Sequence, residues 1–373
     1  MHRAPAVLIA AASGRALAAS ARRGGYAPLV ADFFGDEDTA TAAEAYIRLD
    51  HGLSDGMRYD RVITALERLA TPREPAGIVC GTGFEDRPEL LSAIARRWTL
   101  FGNNLAAVAR TKEPLAFAEL CHECGVAHPD TSLTRPPDPK HWLAKRPGGA
   151  GGRHIRDAAD SQCTGGSFYF QRRVQGSPVS ALFLADGRRT VVLGFSAQWS
   201  APTSSQPFRY GGAVQPAVLE PETAAAMTEA VQRLGAMVPL LGLNSADFLV
   251  SGDVFTLLEI NPRPGATLDI FEPAEGSLFA MHVSACQGAL PATPPSYERA
   301  RAAAIVYADR SIPEFPALDW PPWTADRPVV GTAVDDGGPL CTVFAEAATI
   351  TAARQLAAQR GAAILAIASG RPS

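Results

Sequence analysis

Two carboxylates and an amide lie on two neighbouring strand-like runs near residue 250. Asp247 lies in the first run, Ala246–Val250, while Glu259 lies in the second, Val254–Ile260, and Asn261 follows directly. Because Glu259 and Asn261 are two residues apart, their side chains project from the same face of a strand. Carboxylate and amide oxygens are hard ligands that suit Mg²⁺. The spacing therefore predicts a magnesium site on a β-hairpin.

A solvated surface hairpin is the alternative interpretation of the same residues. Phe248, Leu257 and other apolar residues flank the polar groups, which indicates that these groups are partly buried. Buried acids that serve no purpose are costly, so the pattern favours a functional site. Arg263 follows shortly after the second strand and can meet a phosphate or a carboxylate with two parallel hydrogen bonds.

Lysine is rare in this chain, which makes the position of each lysine informative. Only three of the 34 Lys and Arg residues are lysines, namely Lys112, Lys140 and Lys145. Lys145 ends a strand-like run and precedes the glycine-rich stretch Gly148–Gly152. Such a loop can lay backbone N–H groups over phosphates, although a plain flexible linker is the alternative. It is not a Walker A motif, because no Gly-Lys-Ser/Thr occurs in the sequence.

Taken in order, these motifs resemble the ATP-grasp superfamily over roughly residues 104–288. The order is Lys112, the strand residue Lys145, the glycine loop and the hinge segment Gln171–Gly176. Asp247, the pair Glu259 and Asn261, and Arg263 then follow. The resemblance implies an ATP-grasp fold of mixed α/β and α+β class. It divides the chain into an N-terminal open parallel-sheet domain (1–103), an ATP-grasp domain of two subdomains (104–288, hinge near 171–176) and a small mixed C-terminal domain (289–373).

The resemblance also implies which residues bind ATP. Lys112 and Lys145 correspond to the lysines that hold the α- and β-phosphates, and the glycine loop would close over the triphosphate. The residues implied on the nucleotide side are Lys112, Lys145, Gly148, Gly149, Gly151, Gly152, Gln171 and Val174. This sequence departs from many members at the hinge, since Gln171 often is Glu and Pro178 stands where a glutamate commonly binds ribose.

The remaining implied roles concern the metal, catalysis and the substrates. Asp247, Glu259 and Asn261 would hold one or two Mg²⁺ ions, with Mn²⁺ as a substitute. Lys145 and Arg263 are the implied catalytic residues, and Arg263 would stabilise the transferred phosphoryl group or an acyl phosphate. The expected substrate residues are Arg209, Tyr210 and Gly211. Arg209 could bind an acidic substrate such as glutamate, the alternative being an exposed loop arginine. His141 and His154 are expected at the surface.

The implied activity is an ATP-dependent carboxylate–amine ligase that forms an acyl phosphate, ADP and phosphate. The similarity points to carboligases related to biotin carboxylase and to amine–glutamate ligases of one-carbon cofactor biosynthesis. Two alternatives stay open, a bicarbonate-activating carboxylase and a non-catalytic ATP-binding regulatory protein. The expected partners are a small-molecule carboxylate and an amine, and a homo-oligomer is left open.

Alternating strands and helices must build the N-terminal region that precedes this site. Ala6–Ala12, Ala27–Ala31 and Gly77–Cys80 read as strands between helical segments, which predicts a parallel sheet. The apolar N-terminus also imitates a signal peptide, but its core is short and a second strand-like run follows immediately. Gly81-Thr82-Gly83 lacks a third glycine, which disfavours a dinucleotide site.

Composition excludes several classes of protein. Hydrophobic residues make up 47% and charged residues 19% of the chain, which is incompatible with intrinsic disorder. The net charge of −4 argues against a nucleic-acid or polybasic membrane protein. Cys121 and Cys124 form a Cys-x-x-Cys pair without a second pair, so a buried packing role is favoured over zinc. Reduced thiols are typical of a cytoplasmic protein, which is the expected location.

Overall fold

The N-terminal region is a four-stranded parallel sheet in the order β3-β2-β1-β4. The computed structural model describes residues 3–50, 56–160, 163 and 168–368. The central strand β1 is buried along its whole length, as the predicted parallel sheet requires. Its elements are β1 (Ala6–Ala10), α1 (Arg15–Arg23), β2 (Ala27–Asp32), α2 (Glu37–Ala42), β3 (Ala45–Arg48), α3 (Tyr59–Ala70), β4 (Ile78–Cys80) and α4 (Pro88–Arg97).

Two short helices follow where the sequence predicts a single helix over 104–125. They are α5 (Leu105–Lys112) and α6 (Pro114–Glu123). Pro114 cannot continue α5 because it lacks a backbone N–H, and it forces Glu113 out of the helical region. Glu113 then caps α6 by accepting a hydrogen bond from the Ala116 N–H. The break makes Lys112 the last residue of α5. Cys121 and Cys124 pack as buried thiols in the core beside α6, as predicted.

A small antiparallel sheet in the order β5-β8-β6-β7 carries the second lysine. Its strands are β5 (Thr131–Ser132), β6 (Trp142–Lys145), β7 (Ile155–Asp157) and β8 (Tyr169–Arg172). Lys145 is the last residue of β6 and lies opposite Tyr169 on β8. The glycine-rich loop connects β6 to β7 and therefore begins directly beside this lysine.

The central sheet has eight strands in the order β13-β12-β9-β10-β11-β14-β16-β15. It takes strands from both sides of residue 289, since β14 pairs with β11 and continues the same sheet. Its strands are β9 (Ser177–Asp186), β10 (Thr190–Ser200), β11 (Tyr210–Gln215), β12 (Leu241–Ser251), β13 (Val254–Asn261), β14 (Ala300–Tyr307), β15 (Thr324–Ala325) and β16 (Pro339–Ala347).

Four helices accompany this sheet, and one of them corrects the sequence analysis. They are α7 (Pro221–Met237), α8 (Leu268–Phe271), α9 (Leu278–Cys286) and α10 (Ile350–Ala368). The apolar run Ala362–Ile367 reads as a strand in the sequence, but it is the end of α10. Alanine-rich sequence favours a helix, and the buried residues Ala353, Ala357 and Ile364 recur at helical spacing. No helix in the described part of the chain is long and apolar enough to cross a membrane.

The three regions meet around a buried arginine at the start of α1. The Arg15 guanidinium forms two hydrogen bonds with Asp269, in the first turn of α8, and two with Asp326, which follows β15. The Arg15 side chain is only 8% exposed. Hydrogen bonds between charged groups in partly buried positions are stronger than those at the surface. This single side chain therefore links the N-terminal sheet to the central sheet and to the C-terminal segment.

We expect Arg15→Met to lower the free energy of unfolding by about 2–3 kcal/mol, because it leaves two partly buried carboxylates without their cation. Arg96→Met, on the exposed side of α4, is the matched control and should cost less than about 0.5 kcal/mol. Denaturant titration at pH 7 measures both variants. An equal loss of unfolding free energy in the two variants would contradict the role assigned to Arg15.

The pH dependence gives a second check on this prediction. Burial raises the pKa of Asp326, but Arg15 outweighs burial and holds that pKa below its usual range. The stabilisation is therefore complete above the ordinary carboxyl pKa of about 4 and is lost as the pH falls through the lower folded value. The difference between wild type and Arg15→Met should shrink over that range.

Candidate functional site

The predicted polar cluster is formed by two neighbouring strands of the central sheet. Asp247 on β12 lies opposite Glu259 on β13, and Ser245 lies opposite Asn261. The Asn261 side-chain amide donates to Asp247 Oδ2 at 2.9 Å, and the Ser180 hydroxyl donates to Asp247 Oδ1 at 2.6 Å. The three oxygen-bearing side chains are thus brought together, as their spacing in the sequence predicts.

Lys112 completes this cluster from the end of α5. Its ammonium donates to Glu259 Oε2 and to Asn261 Oδ1, each at 2.8 Å. Burial raises the pKa of Glu259, but Lys112 and Lys145 together lower it to about 2. Burial and the charge of Glu259 raise the pKa of Asp247. Of the two carboxylates, Glu259 is therefore the firmly ionised one.

The donor set fits a hard cation. One positively charged nitrogen already lies within hydrogen-bonding distance of two of the three predicted ligand oxygens. Within the described ranges, no group of three or more His, Cys, Asp or Glu side chains is arranged to hold a metal ion. The cluster offers two carboxylates and one amide oxygen, and Mg²⁺ can be held by so few protein ligands where substrate phosphates and water complete its coordination.

A pocket of about 370 Å³, part of it open to solvent, adjoins this cluster. At its inner side the Lys145 ammonium donates to Gln171 Oε1 at 2.6 Å, so the strand lysine and the hinge glutamine are in direct contact. Burial and the charge of Lys112 lower the pKa of Lys145. The lining residues are Thr111, Lys112, Pro114, Phe117, His128, Thr131, Arg146, Gly148, Gly149, His154, Tyr169, Gln171, Leu258 and Glu259.

His128 extends the polar network of the pocket and was not singled out in the sequence. Its Nδ1 lies 2.8 Å from the Leu257 carbonyl, which can only accept, so Nδ1 carries the proton and Nε2 is an acceptor. Burial lowers the pKa of His128 to about 4. Nε2 faces the Gln171 amide nitrogen at 3.4 Å. A neutral histidine thus lies beside the hinge, with Nε2 as the hydrogen-bond acceptor that faces Gln171.

The glycine loop covers one side of the pocket through Gly148 and Gly149. Gly148 has a φ of +69°, and a Cβ there would lie 2.8 Å from the backbone nitrogen of Asp86 in the N-terminal region. Gly151 accepts a hydrogen bond from the Tyr210 N–H, and Gly152 packs against the backbone of Phe208. The loop is therefore held between two walls of the cleft, and only its first half reaches the pocket.

His154 differs from its expected place at the surface. It is half-buried, lines the pocket, and its Nδ1 has no hydrogen-bond partner among the described residues. Burial lowers the pKa of His154 to about 4. Val174, expected beside the adenine, is half-buried and is not among the residues that line the pocket.

Glu85 is a site residue that the sequence analysis missed. It lies after β4, and its carboxylate accepts from Arg263 Nε at 2.7 Å and from the N–H groups of Gly83 and Phe84. Burial raises the pKa of Glu85, but Arg263 and then Lys112 outweigh it and lower that pKa. The sequence feature that could have identified Glu85 is its position as an acidic residue after the carboxyl end of a parallel strand, where ligands bind in open α/β sheets.

The expected substrate residues point in different directions. Arg209 is 8% exposed, donates to the carbonyls of Ala201 and Gly337, and stacks on the Tyr307 ring. It is thus neither an exposed loop arginine nor open to a ligand in this conformation, but ties β11 to the C-terminal segment. Gly211 packs on Trp199. Tyr210 is half-buried and packs against the hydrophobic core, and burial raises its pKa.

Comparison with known proteins identifies a domain in the middle of the chain. The family model described as the ATP-grasp domain matches residues 115–267. No curated protein matches the chain in sequence.

The fold is similar to those of several solved structures at low sequence identity. Biotin carboxylase from Campylobacter jejuni has a TM-score of 0.70 at 15% identity, over 92% of this chain and 87% of its own. N5-carboxyaminoimidazole ribonucleotide synthetase, solved with ADP, has a TM-score of 0.71 at 15% identity, over 97% of both chains.

The biotin carboxylase domain of Hydrogenobacter thermophilus 2-oxoglutarate carboxylase, a dimer solved with MgADP and bicarbonate, has a TM-score of 0.72 at 13% identity, over 93% and 87%. Residues 115–267 therefore match the ATP-grasp domain, and the chain has the ATP-grasp fold, structurally similar to biotin carboxylase and to N5-carboxyaminoimidazole ribonucleotide synthetase.

Proposed function

We propose that this protein is a Mg·ATP-dependent carboxylate–amine ligase that works through an acyl phosphate. The observation that carries the proposal is the ammonium of Lys112 held between Glu259 and Asn261, beside a pocket that Lys112 and Glu259 line. A triphosphate and a divalent cation can replace the Lys112–Glu259 ion pair here, because the cation can bind the carboxylate and the triphosphate can bind the ammonium. The ATP-grasp domain and the MgADP bound by a structurally similar protein support the same assignment.

Each group of the site has a role in holding the nucleotide. Lys112 and Lys145 would bind phosphate oxygens, and the loop at Gly148 and Gly149 would cover them and exclude water. The Gln171 side chain and the lone pair of His128 Nε2 would meet the base. Asp247, Glu259 and Asn261 would hold Mg²⁺, which neutralises phosphate charge when it is bound.

The proposed reaction has two balanced steps. A carboxylate oxygen of the first substrate attacks the γ-phosphorus of ATP, the bond from that phosphorus to the bridging oxygen breaks, and ADP leaves. The amine nitrogen of the second substrate then attacks the carbonyl carbon, phosphate leaves with the electron pair of the C–O bond, and the nitrogen loses a proton. Arg263, oriented by Glu85, lies beside Asn261 and would neutralise the transferred phosphoryl group.

The activated acid is proposed to be an amino-acid carboxylate such as glutamate, as in ligases of one-carbon cofactor biosynthesis. A carboxylase that activates bicarbonate is the second candidate, favoured by the fold similarity to a carboxylase domain solved with bicarbonate. Incorporation of labelled bicarbonate into an acid-stable product would distinguish the two. A binding protein without turnover is disfavoured because hydrogen bonds join Lys112, the two acids and Arg263 through Asn261.

The proposed function is tested by measuring ADP release from Mg·ATP with hydroxylamine present, across pools of carboxylates and amino acids. Hydroxylamine traps an acyl phosphate as a hydroxamate. We expect ADP formation that requires one pool and is accompanied by hydroxamate. ATP binding with no ADP from any pool would contradict the ligase.

We expect Asp247→Asn and Glu259→Gln each to reduce ADP formation by about 10³-fold or more, since each removes a charged ligand of the proposed metal. Asp253→Asn, on the exposed turn between β12 and β13, removes the same charge from the same hairpin and should retain full activity. Circular dichroism verifies that all three variants fold. Full ADP formation by either site variant would refute the metal assignment.

Removing the internal cation should open the metal site in the nucleotide-free protein. In Lys112→Met, Glu259 and Asn261 lose the ammonium that binds them, so Mn²⁺ should bind about tenfold more tightly than in wild type, as measured by electron paramagnetic resonance. Mg·ATP should bind more weakly, because a phosphate contact is lost. The exposed Lys140→Met is the matched control, and Mn²⁺ binding that is the same in all three proteins would contradict the competition.

A further inference from the structure

A second pocket, of about 380 Å³ and partly open to solvent, adjoins the N-terminal sheet. It lies at the carboxyl end of β4, next to Leu100, which pairs in parallel with Ile78 of that strand. The carboxyl ends of parallel strands are where ligands bind in open α/β sheets. The place of this second pocket in the fold therefore favours a ligand site, and the nucleotide proposed above does not occupy it.

Most of the side chains that line the second pocket are apolar. Phe84, Leu91 on α4 and Val108 on α5 are buried, and Leu100 is half-buried. Burial raises the pKa of Cys80, at the end of β4, to about 12. Its thiol is therefore uncharged at neutral pH and provides a further weakly polar contact. These walls come from two helices and a strand, so the pocket is built by the packed fold and not by a loop.

Asn103 also lines the second pocket, but its side chain is engaged with the chain itself. The amide nitrogen donates to Asn244 Oδ1 at 2.8 Å and to the Pro262 carbonyl at 2.9 Å. The amide oxygen accepts from the Leu241 N–H at 2.8 Å. These bonds use both amide hydrogens, so Asn103 fixes the wall of the pocket instead of offering a donor to a ligand.

Two charged residues line the second pocket, and they neutralise each other. Glu85 accepts from Arg263 Nε at 2.7 Å, and the two side chains are 4% and 11% exposed. Arg263 also donates to Asn261 Oδ1 at 3.4 Å, and the same oxygen accepts from Lys112 at 2.8 Å. Lys112 in turn lines the first pocket, where the nucleotide is proposed to bind. Arg263, Asn261 and Lys112 thus join the two pockets at the place proposed for phosphoryl transfer.

We propose that the second pocket binds the apolar part of the amine substrate, a short alkyl or aryl group, with the amine nitrogen at the Arg263 end. This rests on the proposed ligase function and names the class of its second substrate. Ligand pockets of this volume combine apolar walls with a few polar groups that fix the orientation of the ligand. An acid such as glutamate is charged at both ends and would bury one charge against apolar walls at high cost. The pocket is therefore assigned to the amine.

The same walls favour the reactive form of the amine. Transfer of an amine to apolar surroundings disfavours its protonated form, which cannot attack a carbonyl carbon. The Glu85–Arg263 ion pair carries no net charge that would hold an ammonium at the end of the pocket. The nitrogen is thus delivered to the acyl phosphate as a neutral nucleophile.

The test uses the full nucleotide-free chain and isothermal titration calorimetry at pH 9, with n-butylamine and n-hexylamine as probes. Each methylene that leaves water should tighten binding about three- to fourfold, so we expect hexylamine to bind about tenfold more tightly than butylamine. The matched control is 1,6-diaminohexane, which has the same length but a charge at each end. It should bind at least about tenfold more weakly than hexylamine.

Two variants test the walls of the second pocket. Val108→Phe shortens the pocket and should weaken hexylamine binding about tenfold while butylamine binding stays unchanged, a selectivity that general destabilisation would not produce. Leu100→Asn, at a half-buried position, places a polar group in the wall and should weaken binding of both amines about tenfold. Leu133→Asn, at an exposed position outside the pocket, should bind like wild type. Absence of hexylamine binding, equal affinity for the two amines, or equal binding by all variants would overturn the proposal.

Asp247→Asn separates this proposal from the proposed function. It should abolish ADP formation and leave hexylamine binding unchanged, because Asp247 does not line the second pocket. Hexylamine binding that depends on Val108, combined with no ADP from any carboxylate pool, would support the apolar site and refute the ligase. Carboxylate-dependent ADP formation without hexylamine binding would support the ligase and refute the apolar site. ADP formation that rises from butanoate to hexanoate, and not from butylamine to hexylamine, would assign the pocket to the acid and overturn the proposal.

Discussion

The site depends on opposite charges that are buried within hydrogen-bonding distance of each other. Glu259, Asn261 and the Lys112 ammonium satisfy one another in a position where none of them could remain alone at low cost. The Lys112–Glu259 ion pair also determines the protonation state of the site. Lys112 and Lys145 keep Glu259 ionised, although burial alone would raise its pKa. In the proposed function, a divalent cation bound to phosphates would replace that ammonium at the same oxygens, so that the oxygens keep a positive partner.

The other regions of the molecule serve to place charge around this pair. The break at Pro114 ends α5 at Lys112, β6 ends at Lys145, and the N-terminal sheet contributes Glu85, which holds Arg263 at 2.7 Å. These groups come from three parts of the chain, and a shift of any part by an ångström would separate them. The buried contacts of Arg15 fix the N-terminal and C-terminal parts relative to the central sheet, so stability and function depend on the same interfaces.

The sequence predicted features that depend on residues close together along the chain, but not contacts between residues that are far apart along it. Two-residue periodicity placed Glu259 and Asn261 on one face, and the rarity of lysine singled out Lys112 and Lys145. Glu85 was missed because its partner, Arg263, lies 178 residues away and no pattern in either segment encodes the contact. Arg209 was expected to bind a substrate, but it donates to the Gly337 carbonyl and stacks on Tyr307, contacts with a distant segment that no local pattern encodes. The strand predicted over Ala362–Ile367 failed because short apolar runs do not distinguish strands from buried helix ends.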